Sequence, residues 1–145
     1  MKIAVTGATG LIGRAVLKLA HQRGHEVVAF TRSPDRPIEW AAEQRKFSLD
    51  EPPDLSGCNA VIHLAGEPIL GLWTAKKKQA IVQSRIEGTR RIAEAIANLT
   101  EKPEALVSAS AIGWYGDAGD VELSESAPHG PVSYTHLTLP TIYSV

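Results

Sequence analysis

The sequence contains a single cysteine, Cys58, and it has no excess of charge of either sign. One cysteine excludes an intramolecular disulfide framework and suits a reducing compartment, so we predict a cytoplasmic protein. Fifteen Lys and Arg residues against sixteen Asp and Glu residues leave a net charge of −1, which argues against nucleic-acid binding by bulk charge. No apolar run approaches the roughly 20 residues of a membrane span, and glycines interrupt the first apolar stretch. We therefore predict neither a membrane span nor a signal peptide.

Several common catalytic and metal-binding patterns are also absent. The histidines and Cys58 lack the spacing of metal ligands, so we predict no metal site. The sequence has neither a G-x-S-x-G nucleophile motif nor a G-x-x-x-x-G-K-[ST] phosphate loop, and it has no internal repeat. With 145 residues, 43% of them hydrophobic, the chain suits one globular domain or part of a larger one.

The first part of the chain has the pattern of a nucleotide-binding unit. Residues Lys2–Thr6 read as a buried parallel strand, a glycine-rich segment follows, and an amphipathic helix then runs to Gly24. Residues His25–Phe30 read as a second strand. This order is the context that a dinucleotide-binding fingerprint requires. We therefore predict an α/β fold with a Rossmann-type doubly wound parallel sheet.

Three glycines in the turn have distinct predicted roles. Gly7 permits a tight turn, Gly10 lets the backbone approach a pyrophosphate, and Gly13 lets the helix pack closely against the strand. The helix N-terminus offers unpaired N–H groups to the phosphates. The spacing is G-x-x-G-x-x-G rather than the commoner G-x-G-x-x-G, and a glycine-rich turn that binds nothing is the alternative.

The residue after the second strand indicates which cofactor is bound. An acidic residue there would bind the ribose 2′-OH of NAD, whereas an arginine accommodates the 2′-phosphate of NADP. The sequence has Arg32 at this position and no acid, and the planar guanidinium suits a phosphate. We therefore predict NADP(H), with NAD(H) as the alternative. Alternatively, Arg32 is a solvated surface residue with no role in binding.

The rest of the chain continues the alternation of strands and helices. We predict a short third strand over Lys46–Leu49, a fourth over Asn59–Leu64, a long helix from Thr74 to about Asn98, and a fifth strand over Glu104–Ser108. The small residues after the fourth strand would let a nucleotide lie against the backbone.

Two polar residues in these elements allow alternative interpretations. His63 lies within the fourth strand, and this position favours a hydrogen-bonded core histidine over a histidine that binds a ligand. Arg85 falls on the inner side of the long helix. It either reaches the cofactor or substrate, or extends its charged end to solvent.

Four segments, TGATGLIG, HLAGEPI, SRIEGTRR and SASAIGWYG, occur in an order and spacing that resemble the extended short-chain dehydrogenase/reductase superfamily. More narrowly, they resemble its atypical epimerase-family branch, the NAD-dependent epimerase/dehydratase-like proteins of uncertain substrate. The resemblance covers residues 1–131. It implies cofactor-binding roles for Gly7, Thr9, Gly10, Leu11, Ile12, Gly13, Arg32, Leu64, Ala65, Gly66 and Ser108.

The resemblance also implies a catalytic role for Ser110. It matches the serine that forms a hydrogen bond with the reacting oxygen in sugar-nucleotide epimerases. Ser108 is the fallback for that role. The chain departs from the superfamily pattern at two places. Arg85 replaces the asparagine of Asn-Val-x-Gly-Thr, and Thr138 stands where the lysine of Tyr-x-x-x-Lys would follow Tyr134.

Without that lysine the acid/base step has no visible agent. The resemblance as a whole nevertheless implies an NADP(H)-binding oxidoreductase or epimerase-like protein of unknown substrate. The alternative is a non-catalytic NADP(H)-binding regulatory or sensor protein. The expected partners are a nicotinamide dinucleotide and a small molecule, with no nucleic acid and no membrane.

The final segment, residues 132–145, reads VSYTHLTLPTIYSV. It has no charged residue, and it resembles the translation of a transposon-based sequencing adapter. We expect this tail to be non-native, and residues 1–131 to be the N-terminal part of a longer NAD(P)-binding domain. The resemblance then implies a sheet truncated after about the fifth strand. On that expectation Tyr134 and His136 are not catalytic candidates.

Overall fold

The computed structural model describes residues 1–110, 115–116 and 118–128. The chain divides into two compact units, residues 1–108 and residues 109–145. Strands and helices alternate along the first unit, a pattern that builds a parallel sheet with covered faces. The elements are β1 (Lys2–Thr6), α1 (Leu11–Gln22), β2 (Glu26–Thr31), β3 (Glu43–Lys46), β4 (Ala60–His63), α2 (Ala75–Asn98) and β5 (Ala105–Ser108).

The sheet of the first unit has the strand order β3-β2-β1-β4-β5. Every neighbouring pair is parallel, and β1 lies at the centre, with Val5 beside Ala29 of β2 and Ile62 of β4. Because the chain builds outward from β1 first on one side and then on the other, the order reverses at β1. This is the strand order of the Rossmann fold, so the predicted fold is confirmed.

Each face of the sheet carries one helix, because alternate strand residues face opposite sides. On one face Val5 clusters with Leu17 of α1. On the other face Ala4 clusters with Ile92 of α2. The buried residues of α2 are Ile81, Gly88, Ile92 and Ala95, all of which the periodicity of the sequence predicts for the inner side.

The predicted helix boundaries are also confirmed. The Thr74 side chain caps α2 by accepting a hydrogen bond from the Lys77 N–H at 3.2 Å, the usual role of threonine at this position. Helix α1 ends before Gly24, whose φ of +73° lies in the left-handed region. Neither helix among the described residues has the length and apolarity needed to cross a membrane.

The third strand is predicted wrongly, since β3 spans Glu43–Lys46 rather than Lys46–Leu49. It is an edge strand, and its charged residues are typical of an edge that avoids further pairing. Arg45 contacts Glu43 through its Nε at 2.6 Å. Phe47, which the prediction places within the strand, is buried in the α2-side core cluster. Phe47 therefore anchors the chain after β3 has ended.

Strand β5 forms the opposite edge of the sheet. Leu106 and Val107 are exposed on it. In the second unit the described residues form turns, closed by hydrogen bonds such as that from the Ala127 N–H to the Ser124 carbonyl at 3.0 Å. The tail at residues 132–145, with Tyr134 and Thr138, lies outside the described residues.

Candidate functional site

The predicted cofactor-binding residues of the first unit follow strands that point the same way. The turn at residues 7–13 follows β1, Arg32 follows β2, and residues 64–66 follow β4. Because the strands are parallel, their carboxyl ends meet at one edge of the sheet. Ligands of open α/β sheets bind at this edge, where the strand order reverses. The fold therefore brings these segments to one place.

The glycine-rich turn packs directly against the segment that follows β4. Gly7 has a φ of +69°, and a Cβ added to it would lie 2.7 Å from the Leu64 carbonyl carbon. A Cβ on Gly13 would lie only 2.2 Å from the Gly7 carbonyl oxygen. The absence of side chains at these two positions therefore lets strand, turn and helix approach one another closely.

Gly10 lies in a different environment within the same turn. It precedes α1, and its N–H donates to the Gly7 carbonyl at 3.0 Å. Within the described part of the chain, a Cβ added to Gly10 would meet only that carbonyl oxygen, at 3.2 Å. The outward side of Gly10 is therefore open, and its proposed closeness to a pyrophosphate remains a prediction.

The beginning of α1 is uncapped and carries exposed apolar residues. No side chain of the described residues caps the helix, and its first turn holds no acidic residue. The free N–H groups and the positive end of the helix dipole thus face outward. Leu11 is 91% exposed and Ile12 is 64% exposed, so both are available to contact a ligand. Thr9 is also exposed.

A buried threonine joins β1 to the segment after β4. The Thr6 hydroxyl oxygen accepts hydrogen bonds from the N–H groups of Leu64 and Ala65, both at 3.1 Å, and it lies 2.7 Å from His63 Nδ1. A hydroxyl has two acceptor lone pairs and one proton. Because the two amides occupy the lone pairs, the hydroxyl donates to Nδ1, and the neutral ring carries its proton on Nε2.

His63 is a core residue, which confirms the favoured interpretation of the sequence. The ring is 3% exposed and meets the edge of Phe47, with ring centroids 6.0 Å apart. Its other side faces α2, where a Cβ added to Gly88 would lie 3.7 Å from His63 Nε2. Burial lowers the pKa of His63 to about 4, because the charged ring would lose its hydration.

This low pKa predicts a loss of stability in mild acid. Between pH 6.5 and pH 4 the unfolded chain protonates His63 and the folded chain does not, so stability falls as pH falls. The contribution reaches about 3 kcal/mol across that window. Urea unfolding at pH 7 and pH 5 should show about 2 kcal/mol of this loss, since pH 5 lies about 1.5 units below the unfolded pKa. We expect a smaller difference in His63→Asn, in which Asn Oδ1 can still accept from Thr6, and an unchanged one in His25→Asn. An equal pH dependence in His63→Asn would contradict this assignment.

Arg32 lies just beyond β2, and it is exposed. Its positive charge contributes to lowering the pKa of the Glu67 carboxyl, although the largest cause is the hydrogen bond from Lys77. The side chain therefore lies at the same edge of the sheet as the segment after β4. Ser33 donates its N–H to the Thr31 hydroxyl at 3.2 Å, which fixes the backbone around Arg32.

Three side chains of α2 hold Glu67, a contact that the sequence does not predict. Ser84 Oγ accepts from the Glu67 N–H at 2.9 Å. Arg85 Nη1 donates to the Glu67 carbonyl at 3.2 Å, and Lys77 Nζ lies 2.6 Å from the carboxylate. Helix α2 thus fixes the position of Glu67, at the end of the segment that follows β4. A glutamate directly after the small residues Ala65 and Gly66 is the only sequence signal of this contact.

The chain beyond Glu67 is apolar and exposed. Leu70 and Leu72 are 84% and 87% exposed, and Ile69 and Trp73 are about half exposed. Trp73 Nε1 donates to the Ile69 carbonyl at 2.9 Å, so this loop closes on itself before α2 begins at the Thr74 cap.

The two candidate serines fall in different units. Ser108 ends β5 and pairs with His63 in the parallel register, so it belongs to the same edge of the sheet as the glycine turn. Ser110 belongs to the second unit, and its catalytic role remains a prediction. No group of residues with metal-ligating side chains occurs in the described part of the chain.

Comparison with known proteins identifies the family. The family model described as the NAD dependent epimerase/dehydratase family matches residues 3–138. The chain belongs to this family. The match extends beyond Pro131, where the resemblance seen in the sequence ends, and a domain boundary at that residue remains a prediction.

The relatives of this epimerase-family chain are about twice its length. It is 33% identical over 134 residues to the epimerase family protein YfhF of Bacillus subtilis, covering 88% of this chain and 43% of that protein. It is 32% identical over 138 residues to human SDR39U1, covering 92% of this chain and 45% of that protein. The chain thus spans somewhat less than half of the curated relatives it matches.

Solved structures give the same result. Human SDR39U1 with NADPH superposes with a TM-score of 0.76 at 29% identity, over 94% of this chain and 46% of that one. A short-chain dehydrogenase/reductase superfamily protein from Agrobacterium tumefaciens with bound NAD gives 0.73 at 26% identity, over 94% and 42%. One neighbour therefore carries the phosphorylated cofactor and the other does not.

Proposed function

We propose that this chain is the NADP(H)-binding part of an oxidoreductase or epimerase-like protein. The observation that carries the proposal is the combination of the glycine turn with Arg32. The turn opens an uncapped helix at the reversal point of the sheet. An arginine, with no acid beside it, follows β2 at the position that distinguishes the two cofactors. The alternative cofactor is NAD(H).

The residues present fit a dinucleotide. Gly10 leaves open space in front of the turn, and the first N–H groups of α1 would hold the pyrophosphate. Arg32 would hold the 2′-phosphate through charge-assisted hydrogen bonds. Leu64, Ala65 and Gly66 would line the cofactor, and Thr9, Leu11 and Ile12 would contact it from the turn. When bound, the cofactor supplies the hydride chemistry, and the protein supplies orientation and electrostatics.

The proposed catalytic group is Ser110, with Ser108 as the fallback, since a serine hydroxyl can hydrogen-bond the reacting oxygen of a substrate. A second candidate function is binding without turnover, as in a sensor. If residues 132–145 are native, Thr138 in place of the superfamily's lysine favours this second function, because no residue then assists a proton donor. Hydride exchange with a carbonyl substrate in a complete homologous chain distinguishes the two.

The cofactor proposal predicts a preference for NADPH that depends on Arg32. A charge-assisted hydrogen bond is worth about 1.5–3 kcal/mol, so NADPH should bind at least about tenfold more tightly than NADH. In Arg32→Gln this preference should largely disappear. Fluorescence titration with both cofactors measures it.

A matched control is Arg23→Gln. It removes the same charge from the end of α1, which lies at the opposite edge of the sheet, and it should retain the preference. Equal affinities for NADPH and NADH in the unmodified chain would show that Arg32 does not select the cofactor.

A further inference from the structure

Arg85 lies on α2, close to the edge of the sheet where the cofactor is proposed to bind. It is one turn before Gly88, which packs against His63 of β4. Since α2 begins at the carboxyl edge and runs back along the sheet, Arg85 is nearer to that edge than Gly88 is. The side chain is half-buried, so its charge is only partly hydrated.

The guanidinium is held in place by one of its nitrogens. Nη1 donates to the Ile81 carbonyl at 3.1 Å and to the Glu67 carbonyl at 3.2 Å. The group also lies against Gly66, where an added Cβ would be 3.5 Å from Arg85 Cζ. Arg85 therefore does not extend into solvent as a flexible surface arginine would. Instead its plane is fixed beneath the segment that follows β4.

The opposite edge of the guanidinium is left without a partner. Among the described residues, neither Nε nor Nη2 of Arg85 makes a hydrogen bond. These two nitrogens form one side of the planar group, and their N–H bonds are parallel. Such an edge matches the two oxygens of a carboxylate or a phosphate. A fixed, half-buried cation with this edge free is suited to receive an oxyanion.

The charges around Arg85 favour the same kind of ligand. The Glu67 carboxylate is already satisfied by Lys77, with 2.6 Å between Nζ and Oε1. Arg32 and Arg85 also act on this carboxylate from farther away, and neither forms an ion pair among the described residues. Three cations therefore share one carboxylate, and the excess positive charge attracts an anion.

We propose that Arg85 is a substrate-binding residue, whose Nε and Nη2 donate to an oxyanion, carboxylate or phosphate, of a small anionic substrate. This proposal rests on the proposed function, because the substrate must approach the cofactor at this edge of the sheet. It is separate from the cofactor's own phosphates, which belong to the glycine turn and Arg32.

The test measures binding of two simple anions, inorganic phosphate and acetate, by calorimetry in the presence of saturating NADP⁺. The affinity for NADPH is determined first for each variant. We expect Arg85→Gln to weaken binding of at least one anion about tenfold or more. The NADPH affinity should stay within about twofold, because Ser84 and Lys77 still hold Glu67 in this variant. Arg85→Lys, which keeps the charge but lacks the parallel donors, should weaken binding less. The better ligand in the unmodified chain distinguishes a phosphate from a carboxylate substrate.

The control is Arg90→Gln, which removes an exposed arginine of the same helix that pairs with Glu87 at 2.9 Å. It should leave anion binding unchanged. The proposal is overturned if Arg85→Gln binds both anions with the affinity of the unmodified chain. It is also overturned if anion binding is lost in Arg32→Gln but retained in Arg85→Gln. A large loss of NADPH affinity in Arg85→Gln assigns the residue to the cofactor and also overturns it.

Two further outcomes separate this proposal from the proposed function. If the unmodified chain does not bind NADPH, the proposed function fails. Anion binding that disappears in Arg85→Gln, measured then without NADP⁺, still supports the role of Arg85. If Arg85→Gln does not fold, Arg85→Lys carries the test, and unchanged anion affinity in that variant overturns the proposal.

Discussion

Replacing Gly13 with alanine should destabilise the chain by about 3 kcal/mol or more, at the upper end of the range for overpacked sites. The added methyl group would lie 2.2 Å from the Gly7 carbonyl oxygen and 2.9 Å from the Ala8 Cα. Both neighbours are backbone atoms, so no side chain can rotate away. Helix α1 would have to move off the turn. Urea unfolding at equilibrium measures the loss.

Gly10→Ala provides the matched control, because it adds the same methyl group three residues earlier in the same turn. Its contact is with one oxygen at 3.2 Å, and the stability should change by less than about 1 kcal/mol. Binding of NADPH should nevertheless be lost, since the methyl group occupies the space proposed for the pyrophosphate. A stability of Gly13→Ala within about 1 kcal/mol of the unmodified chain would show that α1 can shift freely.

Replacing Thr6 with valine should cost about 3 kcal/mol of stability, because it leaves one buried and two partly buried polar groups unsatisfied, and a fully buried group costs about 1–3 kcal/mol. Valine keeps the shape of threonine but has no hydroxyl. The Leu64 and Ala65 N–H groups lose their shared acceptor, and His63 Nδ1 loses its donor. The segment that lines the proposed cofactor site is then released. NADPH binding should weaken about tenfold, as measured by fluorescence titration beside urea unfolding.

Thr6→Ser separates the hydroxyl from the methyl group. Serine restores both acceptor lone pairs and the donor, so NADPH affinity should return to nearly that of the unmodified chain, with only a small loss of stability from the missing methyl. If Thr6→Val bound NADPH normally and unfolded at the same urea concentration, the shared hydroxyl would have no energetic role.

The parts of the fold that follow from local patterns are predictable from the sequence. Strand β1 and helix α2 have clear apolar periodicity, and Thr74 and Gly24 are ordinary boundary residues. The position of strand β3 cannot be predicted in this way. Its position is set by pairing with β2, where Val28 lies beside Glu43, and no local apolar pattern marks such a charged edge strand.

The candidate site likewise has some features that the sequence predicts and others that it does not. The close packing at Gly13 follows from its place in the fingerprint, as the distance to Gly7 confirms. The role of Thr6 does not, because a threonine at the end of a buried strand is indistinguishable from an ordinary β-branched residue. Its partners lie 57 to 59 positions away in the chain. The direction of the Arg85 side chain likewise depends on the Glu67 carbonyl, which only the tertiary fold brings near it.

The way α2 holds Glu67 determines where this chain can tolerate a change in length. The segment from Leu64 to Glu67 is joined to Thr6 across the sheet and to α2, so one inserted residue there would displace several hydrogen bonds together. The exposed loop from Ile69 to Trp73 is bounded by Glu67 on one side and by the Thr74 cap on the other. Doubling a flexible loop costs only about 0.6 kcal/mol. A tag or a peptide inserted at Gly71 would therefore leave the sheet and the glycine turn in register.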